Sequence, residues 1–244
     1  MSAPNPTPAP TEICKRRRVA ERFRQLRKDC AMPVAFSDAR GQTPADRKNV
    51  IEFMAAICAD FDFKETTMAL SASYYDLFMR CPFRPAYKDE MAGAICVLLA
   101  AKFGDLKFPS IAALLARLEG CFTRSEVVEA ELGVLTALGW NLHATTPYTF
   151  LEQLKTVVDM CPGVKGRAGF FVAMSYLDHK ILEFSPATVA VSALVCAQSQ
   201  LLEKGKRKDV AVLCNVCDVC HSDVQLCTQI LADYFEQTCG VAGE

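Results

Sequence analysis

The chain has 244 residues, of which 51% are hydrophobic and 23% are charged, and its formal net charge is −1. So much apolar surface excludes a disordered chain and is enough to bury a sizeable core. A net charge near zero gives no overall basic field that would draw the chain to nucleic acid or to an anionic membrane.

Thirteen cysteines are scattered along the sequence, and no apolar signal segment precedes them. We therefore expect reduced thiols in a protein of the nucleus and cytoplasm. The longest unbroken apolar stretch, 91–101, is too short to span a bilayer, so no membrane partner is expected.

Residues 1–40 are predicted to form a Pro-rich tail and a short basic helix. In the segment 14–28 the only anion is Glu21, and Val19, Phe23 and Leu26 recur at helical spacing. The run 15–18 is typical both of a nuclear localisation signal and of the solvated or partner-facing side of a helix. The cations of this segment are Lys15, Arg16, Arg17, Arg18, Arg22, Arg24, Arg27 and Lys28.

Helix-start signals follow in series. The Thr-Pro-Ala-Asp run at 43–46 offers an N-cap, a proline for the first helical position and an acid for the first turn. A second helix is predicted from about residue 66. The stretch 81–87 holds two prolines and is interpreted as a loop.

The next three helices differ in their apolar pattern. Residues 91–103 are almost entirely apolar, which predicts a helix buried on every side. A shorter helix is predicted to start at Pro109. Thr123 and Glu126 form a capping box that opens a helix running to about residue 138.

The second half repeats these signals. Thr-Pro at 146–147 and Ser-Pro at 185–186 each predict a helix start, and the helix 186–202 is again apolar nearly all round. Ser222 and Gln225 are interpreted as another capping box.

No convincing strand pattern occurs, so we predict an all-α fold with about five helices on each side of a linker at 141–146. In each half the third helix is the most apolar, and the two lie about 95 residues apart, which indicates a duplicated unit. The predicted divisions are 1–40 (tail and basic helix), 41–145 (first unit) and 146–244 (second unit).

The first half carries residues typical of a cyclin box, and on these the chain resembles the cyclins. They are Arg47, YYDLF at 74–78, LLAAKF at 98–103, Glu131 with Leu135, LGWNL at 138–142 and TPYTFL at 146–151. The second half is similar more loosely, through LEFSP at 182–186 and the run 189–197, which are closest to D-type cyclins.

The resemblance implies two tandem five-helix cyclin boxes preceded by the basic N-terminal helix. It also implies a non-catalytic regulatory subunit that binds a cyclin-dependent Ser/Thr protein kinase as a heterodimer, activates it and controls cell-cycle progression. No cofactor and no nucleic-acid partner is expected.

Lys102 and Glu131 are the first candidate site residues. Lys102 ends a run of eight apolar residues, and Glu131 lies within a stripe made by Val128, Leu132, Leu135 and Leu138. Charges in such places are costly unless they are paired, so we expect the two to pair. Residue patterns alone leave an internal salt bridge that only specifies the fold as an alternative.

The resemblance implies that Lys102 and Glu131 bind backbone groups of the kinase helix that carries the catalytic glutamate. The predicted kinase-binding residues are Leu99, Lys102, Phe103, Glu131, Leu135, Trp140 and Leu142. It further implies that Arg47 and Asp76 form a structural ion pair that joins the first two box helices.

Many cyclins also carry a hydrophobic patch on the first box helix that docks R-x-L peptides of substrates or inhibitors. In this chain Asp46 replaces a methionine and Asn49 an isoleucine of that pattern, so we expect an altered docking patch. Its residues are Asp46, Val50, Phe53 and Glu90.

The sequence allows two other interpretations. Cys214, Cys217 and Cys220, with His221 and Cys227 nearby, have the spacing of a zinc or iron–sulfur site. Small apolar side chains filling one helix face explain the same spacing, and we favour that reading and expect no metal.

The main alternative function is a cyclin-fold transcription-factor core of the TFIIB kind, which binds DNA and the TATA-binding protein. Such cores are usually basic and follow a zinc ribbon, whereas this chain is near neutral. A thiol- or metal-dependent enzyme is a more distant alternative, because no catalytic constellation is recognisable.

Overall fold

The computed structural model describes residues 21–26, 42–105, 107–158 and 160–240. These residues form ten α-helices in addition to the short N-terminal helical stretch at 21–26, and they include no strand, which confirms the predicted all-α fold. The first five helices form the first repeat: α1 Pro44–Asp60, α2 Glu65–Arg80, α3 Asp89–Gly104, α4 Ile111–Arg117 and α5 Arg124–Ala137.

The second repeat has five more helices and two short 3-10 segments. The 3-10 segments are His179–Glu183 and Lys204–Lys206. The helices are α6 Pro147–Leu154, α7 Pro162–Ser175, α8 Pro186–Leu201, α9 Val210–Cys217 and α10 His221–Cys239.

Helices α3 and α8 are the centres of their repeats. All residues from 91 to 101 of α3 are buried, and α3 packs against α1, α2 and α5. Helix α8 packs in the same way against α6, α7, α9 and α10, and nearly all of its residues from 187 to 198 are buried. The prediction of an apolar third helix in each half is confirmed, because each one is surrounded by the other helices of its repeat.

Local capping explains why several helices start where they do. The Thr43 hydroxyl accepts from the Asp46 backbone N–H at 3.1 Å, and the Asp46 carboxylate accepts from the Thr43 N–H at 2.9 Å. Thr123 and Glu126 form the same reciprocal box at α5. The predicted N-cap at Thr43 and the predicted capping box at Thr123 are confirmed, and each satisfies backbone donors that a helix start leaves unpaired.

The predicted capping box at Ser222 is wrong. Helix α10 begins at His221, so Ser222 is already inside the first turn, and Cys220 is the N-cap residue without a side-chain cap. The reason is the short turn before it: Asp218 ends α9 in the left-handed region with φ of 52°, which leaves only two residues between it and α10.

The N-terminal residues 21–26 are helical and lie against the second repeat. Phe23 is 1% exposed, and its ring stacks on Phe150 of α6 with centroids 6.1 Å apart. Leu26 packs against the same core. The rest of the predicted basic helix, including the 15–18 run, lies outside the described residues.

Among the described helices, none combines the length and the apolar character needed to cross a bilayer.

Candidate functional site

Helices α3 and α5 bring Lys102 and Glu131 together. The Lys102 Nζ donates to Glu131 Oε1 at 2.5 Å, and the two side chains are 34% and 18% exposed. The pair therefore lies at the protein surface and not in the core. An ammonium has three donors and a carboxylate about four acceptor positions, so both groups keep capacity for a partner's backbone.

The surroundings of this pair are apolar and open to solvent. Phe103 is 45% exposed, Val128 49%, Leu132 56% and Trp140 65%. We call these four residues, together with Lys102 and Glu131, the α3–α5 surface. Neighbouring apolar side chains exposed to this degree around a charged pair are typical of a protein–protein contact site.

The exposure of Val128 and Leu132 corrects one sequence-based expectation. The stripe that contains Glu131 is not the packed face of α5, because the buried residues of that helix are Val127, Ala130 and Val134. These three also recur at helical spacing, so α5 has two apolar stripes. The sequence did contain this signal, but it did not show which stripe faces the core.

The remaining predicted kinase-binding residues lie beside or beneath this surface. Leu99 is 2% exposed and lies one helical turn before Lys102. Leu135 and Leu142 are half-buried, and the Leu142 carbonyl accepts from the Tyr74 hydroxyl at 2.5 Å, which ties the linker to α2. Leu135 and Leu142 pack against the core of the first repeat.

Trp140 is presented by the turn that ends α5. Its φ of 59° is in the left-handed region, and Gly139 before it has φ of 60°. The Trp140 backbone N–H donates to the Leu135 carbonyl at 2.9 Å, which closes the helix end and leaves the indole outside. A tryptophan with a backbone in the left-handed region is unusual, which indicates that the surrounding fold imposes this backbone conformation.

His143 is not among the site residues predicted from the sequence. Its ring makes an edge-to-face contact with Phe103, with centroids 5.0 Å apart. The contact orients the exposed Phe103 ring. Only the return of the linker to α3 brings the two together, so spacing along the chain gave no signal for it.

Arg47 and Asp76 form a second ion pair, of a different kind. Arg47 is 2% exposed and donates from Nε to Asp76 Oδ1 at 2.8 Å and from Nη2 to Oδ2 at 2.9 Å. Its Nη1 donates to the Tyr176 backbone carbonyl at 2.8 Å. Arg47 therefore joins α1 to α2, and also joins the first repeat to the second.

Electrostatics keeps this buried arginine charged. Burial lowers the pKa of Arg47, but attraction to Asp76 and the hydrogen bonds to it outweigh that effect and raise the pKa overall. Nothing of this side chain is offered to a partner, because it is buried and three of its donors are used within the chain.

The residues of the predicted docking patch differ in their exposure and in their contacts. Asp46 is exposed, but Thr43 donates two hydrogen bonds to its carboxylate, and the side-chain bond is the main reason why its pKa is lowered. Val50 is buried, and Glu90 is exposed in the first turn of α3. The Arg117 guanidinium lies 6.0 Å from the centre of the Phe53 ring.

The cysteine cluster is not arranged as a metal site. Cys214 and Cys217 lie on α9 and are 5% and 0% exposed, whereas Cys220 and His221 are exposed at the start of α10. The Cys214 sulfur lies 3.8 Å from His221 Nδ1. Within the ranges that the structure describes, no three His, Cys, Asp or Glu side chains converge as metal ligands would.

Comparisons with known proteins agree with this architecture. The family model described as "Cyclin, N-terminal domain" matches residues 12–143, and "Cyclin, C-terminal domain" matches residues 145–240. The G2/mitotic-specific cyclin-2 of Medicago sativa is 23% identical over 169 residues, which are 69% of this chain and 52% of that protein. The chain spans about half the length, or less, of the curated relatives it matches.

Solved structures share the fold. A viral cyclin from herpesvirus saimiri superposes with a TM-score of 0.70 at 18% identity, covering 90% of this chain and 95% of the viral one. A chain of the yeast RNA polymerase II CTD kinase CTDK-1 complex gives a TM-score of 0.59 at 11% identity, covering 97% and 74%. The curated relatives have mitotic and B-type names, so these comparisons give no support to a D-type assignment.

Proposed function

The chain belongs to the cyclin family, and we propose that it binds a cyclin-dependent Ser/Thr protein kinase through the α3–α5 surface and activates it. The observation that carries this proposal is the Lys102–Glu131 pair together with four exposed apolar side chains on the same two helices and on the turn that follows the second of them. A pair that served only to specify the fold would not need an apolar, solvent-exposed surrounding.

The proposed mechanism is positional. Lys102 and Glu131 bind backbone carbonyl and N–H groups of the kinase helix that carries its catalytic glutamate, and the apolar side chains receive an apolar residue of that helix. Phosphoryl transfer requires that glutamate to pair with the catalytic lysine of the kinase. In this mechanism the chain acts only as a binding partner, and it activates the kinase because it binds the active conformer more tightly than the inactive one.

We further propose a role in cell-cycle progression, in the nucleus and cytoplasm. The names of the curated relatives, which are mitotic cyclins, support the role, and the reduced thiols expected from the sequence are compatible with both compartments. Imaging of the tagged chain through synchronised division, together with its depletion, tests both points. Normal division after depletion would contradict the role.

A double alanine variant tests kinase docking. We expect Lys102→Ala with Glu131→Ala to abolish co-purification of the kinase and its activation, because the backbone of the kinase helix loses both partners. The matched control is Lys48→Ala with Glu52→Ala, which removes an exposed pair 3.8 Å apart on α1. Normal kinase capture by the folded Lys102/Glu131 variant would refute the docking site.

A further inference from the structure

A basic loop in the second repeat is not explained by kinase docking. The sequence from 204 to 208 is Lys-Gly-Lys-Arg-Lys, and it connects α8 to α9 on the repeat that does not carry the α3–α5 surface. Glu203 and Asp209 flank it. Asp209 is used as the N-cap of α9, where its carboxylate accepts from the Ala211 N–H at 2.9 Å.

The backbone of this loop is held against the end of α8. Arg207 donates from Nε to the Leu202 carbonyl and from Nη2 to the Ser199 carbonyl, both at 2.8 Å. The Lys208 N–H donates to Oε1 of Gln198, a side chain in a residue that is 4% exposed, at 3.0 Å. An arginine at the carbonyl end of a helix satisfies open acceptors and complements the helix dipole, so Arg207 has a structural explanation.

The lysines have no comparable explanation. Lys204, Lys206 and Lys208 are exposed, and Lys206 lies 3.3 Å from Glu203 in a pair whose side chains are 71% and 81% exposed. A pair so exposed contributes little to stability. Three exposed like charges within five residues therefore have no structural role among the contacts of this loop.

Lys206 and Lys208 border a groove whose lining is partly apolar. The groove has a volume of about 340 Å³, and none of the described residues that line it is acidic. Val158, Val164 and Leu202 form apolar walls, and Lys206, Arg207 and Lys208 supply positive charge. Val158 and Val164 are 4% and 2% exposed and belong to the core of the second repeat. The accessible apolar part of the groove is therefore provided by the half-buried Leu202 and the exposed Cys161.

We propose that this groove, which we call the α8–α9 groove, binds an acidic peptide segment of a partner protein that carries at least one apolar side chain. Charge complementarity selects the acidic residues, and the apolar walls accept the apolar one. The volume fits one or two side chains and is too small for a nucleic-acid duplex. Phosphate recognition favours free arginine forks, whereas two donor atoms of Arg207 are already bonded to carbonyls.

Fluorescence polarisation with the full chain tests this proposal. The probe is a labelled peptide in which one leucine is flanked by glutamates and aspartates, and its partner probe has glutamine and asparagine at the same positions. We expect the acidic peptide to bind and the amide peptide to bind at least about tenfold more weakly. Binding of the acidic peptide should weaken between about 50 mM and about 200 mM salt.

Two charge-reversal variants locate the site. Lys206→Glu with Lys208→Glu should weaken binding by at least about tenfold. Lys107→Glu with Lys180→Glu changes the net charge equally at exposed positions away from the groove and should leave the affinity unchanged. Neither variant should alter kinase capture, so this proposal and the proposed function can fail separately.

Several outcomes would overturn the proposal. Equal weakening by both double variants would show that only net charge matters. Equal binding of the two peptides, or no binding of either, would show that the groove does not select an acidic ligand. Tighter binding of a phosphoserine version or of duplex DNA, lost in the Lys206/Lys208 variant, would assign the groove to those ligands instead.

Discussion

The two repeats share a fold but not their charges. Helices α3 and α8 begin at residues 89 and 186, and α5 and α10 begin at 124 and 221, so both pairs are displaced by 97 residues. In this register Lys102 corresponds to Ser199 and Glu131 to Thr228. Helices α8 and α10 pack against each other without an ion pair at these positions. The comparison indicates that a five-helix repeat does not need the Lys102–Glu131 pair in order to fold.

The buried pair of the first repeat also has apolar counterparts. Asp76 corresponds to Ala173 in the register of α2 and α7, and Arg47 to Phe150 when the starts of α1 and α6 are aligned. Phe150 is fully buried and stacks on Phe23. Arg47, however, has a function that Phe150 lacks, because it also donates to the Tyr176 carbonyl of the second repeat.

The largest effect on stability is expected from Arg47→Met. The substitution leaves the Asp76 carboxylate, which is 12% exposed, without its bidentate partner and removes the bond to the Tyr176 carbonyl. Breaking a buried pair in this way typically costs about 3–5 kcal/mol. Urea unfolding followed by circular dichroism measures the change.

A double variant separates the charge from the packing. Arg47→Met with Asp76→Leu makes the position apolar, as it is in the second repeat, and should recover much of the loss. A loss below about 1 kcal/mol for Arg47→Met alone would show that the pair is not important for stability.

The next prediction exchanges the residues of the two repeats directly. Lys102→Ser with Glu131→Thr gives the first repeat the residues found in the second. Because the pair is partly exposed, we expect the free energy of unfolding to change by less than about 1 kcal/mol, while kinase binding is lost. A loss as large as that of Arg47→Met would make Lys102–Glu131 a structural pair, which is the alternative that residue patterns left open.

The sequence predicted the architecture well for a physical reason. Caps, prolines and apolar periodicity are local signals, and each acts within about one turn of the residues that carry it. The Thr43 cap, the Thr123 box and the two central helices therefore agree with the structure. The capping box at Ser222 failed because the turn at Asp218 is followed after two residues by α10, which already includes Ser222 in its first turn.

The candidate site was less predictable, since it depends on contacts between distant segments. Sequence reasoning found Lys102 and Glu131 from the cost of charges among apolar residues, but it assigned Val128 and Leu132 to a packed face. Helix α5 has two apolar stripes, and only the tertiary packing decides which one is buried. The bond from Arg47 to Tyr176 and the contact of His143 with Phe103 have no local signal at all.

The helix caps of the two repeats should differ in how much they stabilise the chain at acid pH, an effect smaller than those above. The backbone N–H and the hydroxyl of Thr123 donate to the Glu126 carboxylate, and these bonds lower its pKa from the ordinary value of 4.5. The stabilisation is therefore complete above that value and is lost as the pH falls through the lowered pKa. The cap of α8 uses the Ser185 hydroxyl, which does not titrate in this range.

Two variants measure this difference by urea unfolding at several pH values. The destabilisation caused by Glu126→Ala should be full at neutral pH and should shrink in acid. The destabilisation caused by Ser185→Ala should stay constant. A Glu126→Ala effect that does not depend on pH would mean that its carboxylate does not stabilise the start of α5.

The smallest expected effect concerns the same cap position in the two repeats, where Thr123 corresponds to Cys220. Cys220 is exposed, and its pKa is lowered chiefly by the hydrogen bond with Ser222, whose Oγ lies 3.0 Å from the sulfur, and then by nearby backbone N–H groups. Burial instead raises the pKa of Cys227 and of Cys196 to about 12.

Since the thiolate is the reactive form, iodoacetamide at neutral pH should modify Cys220 well before those two cysteines, as measured by mass spectrometry of the digested chain. Ser222→Ala should slow this modification without exposing the core. Equal rates at Cys220 and Cys227 would instead show that the core of the second repeat opens readily, and the two repeats would then differ in stability as well as in charge.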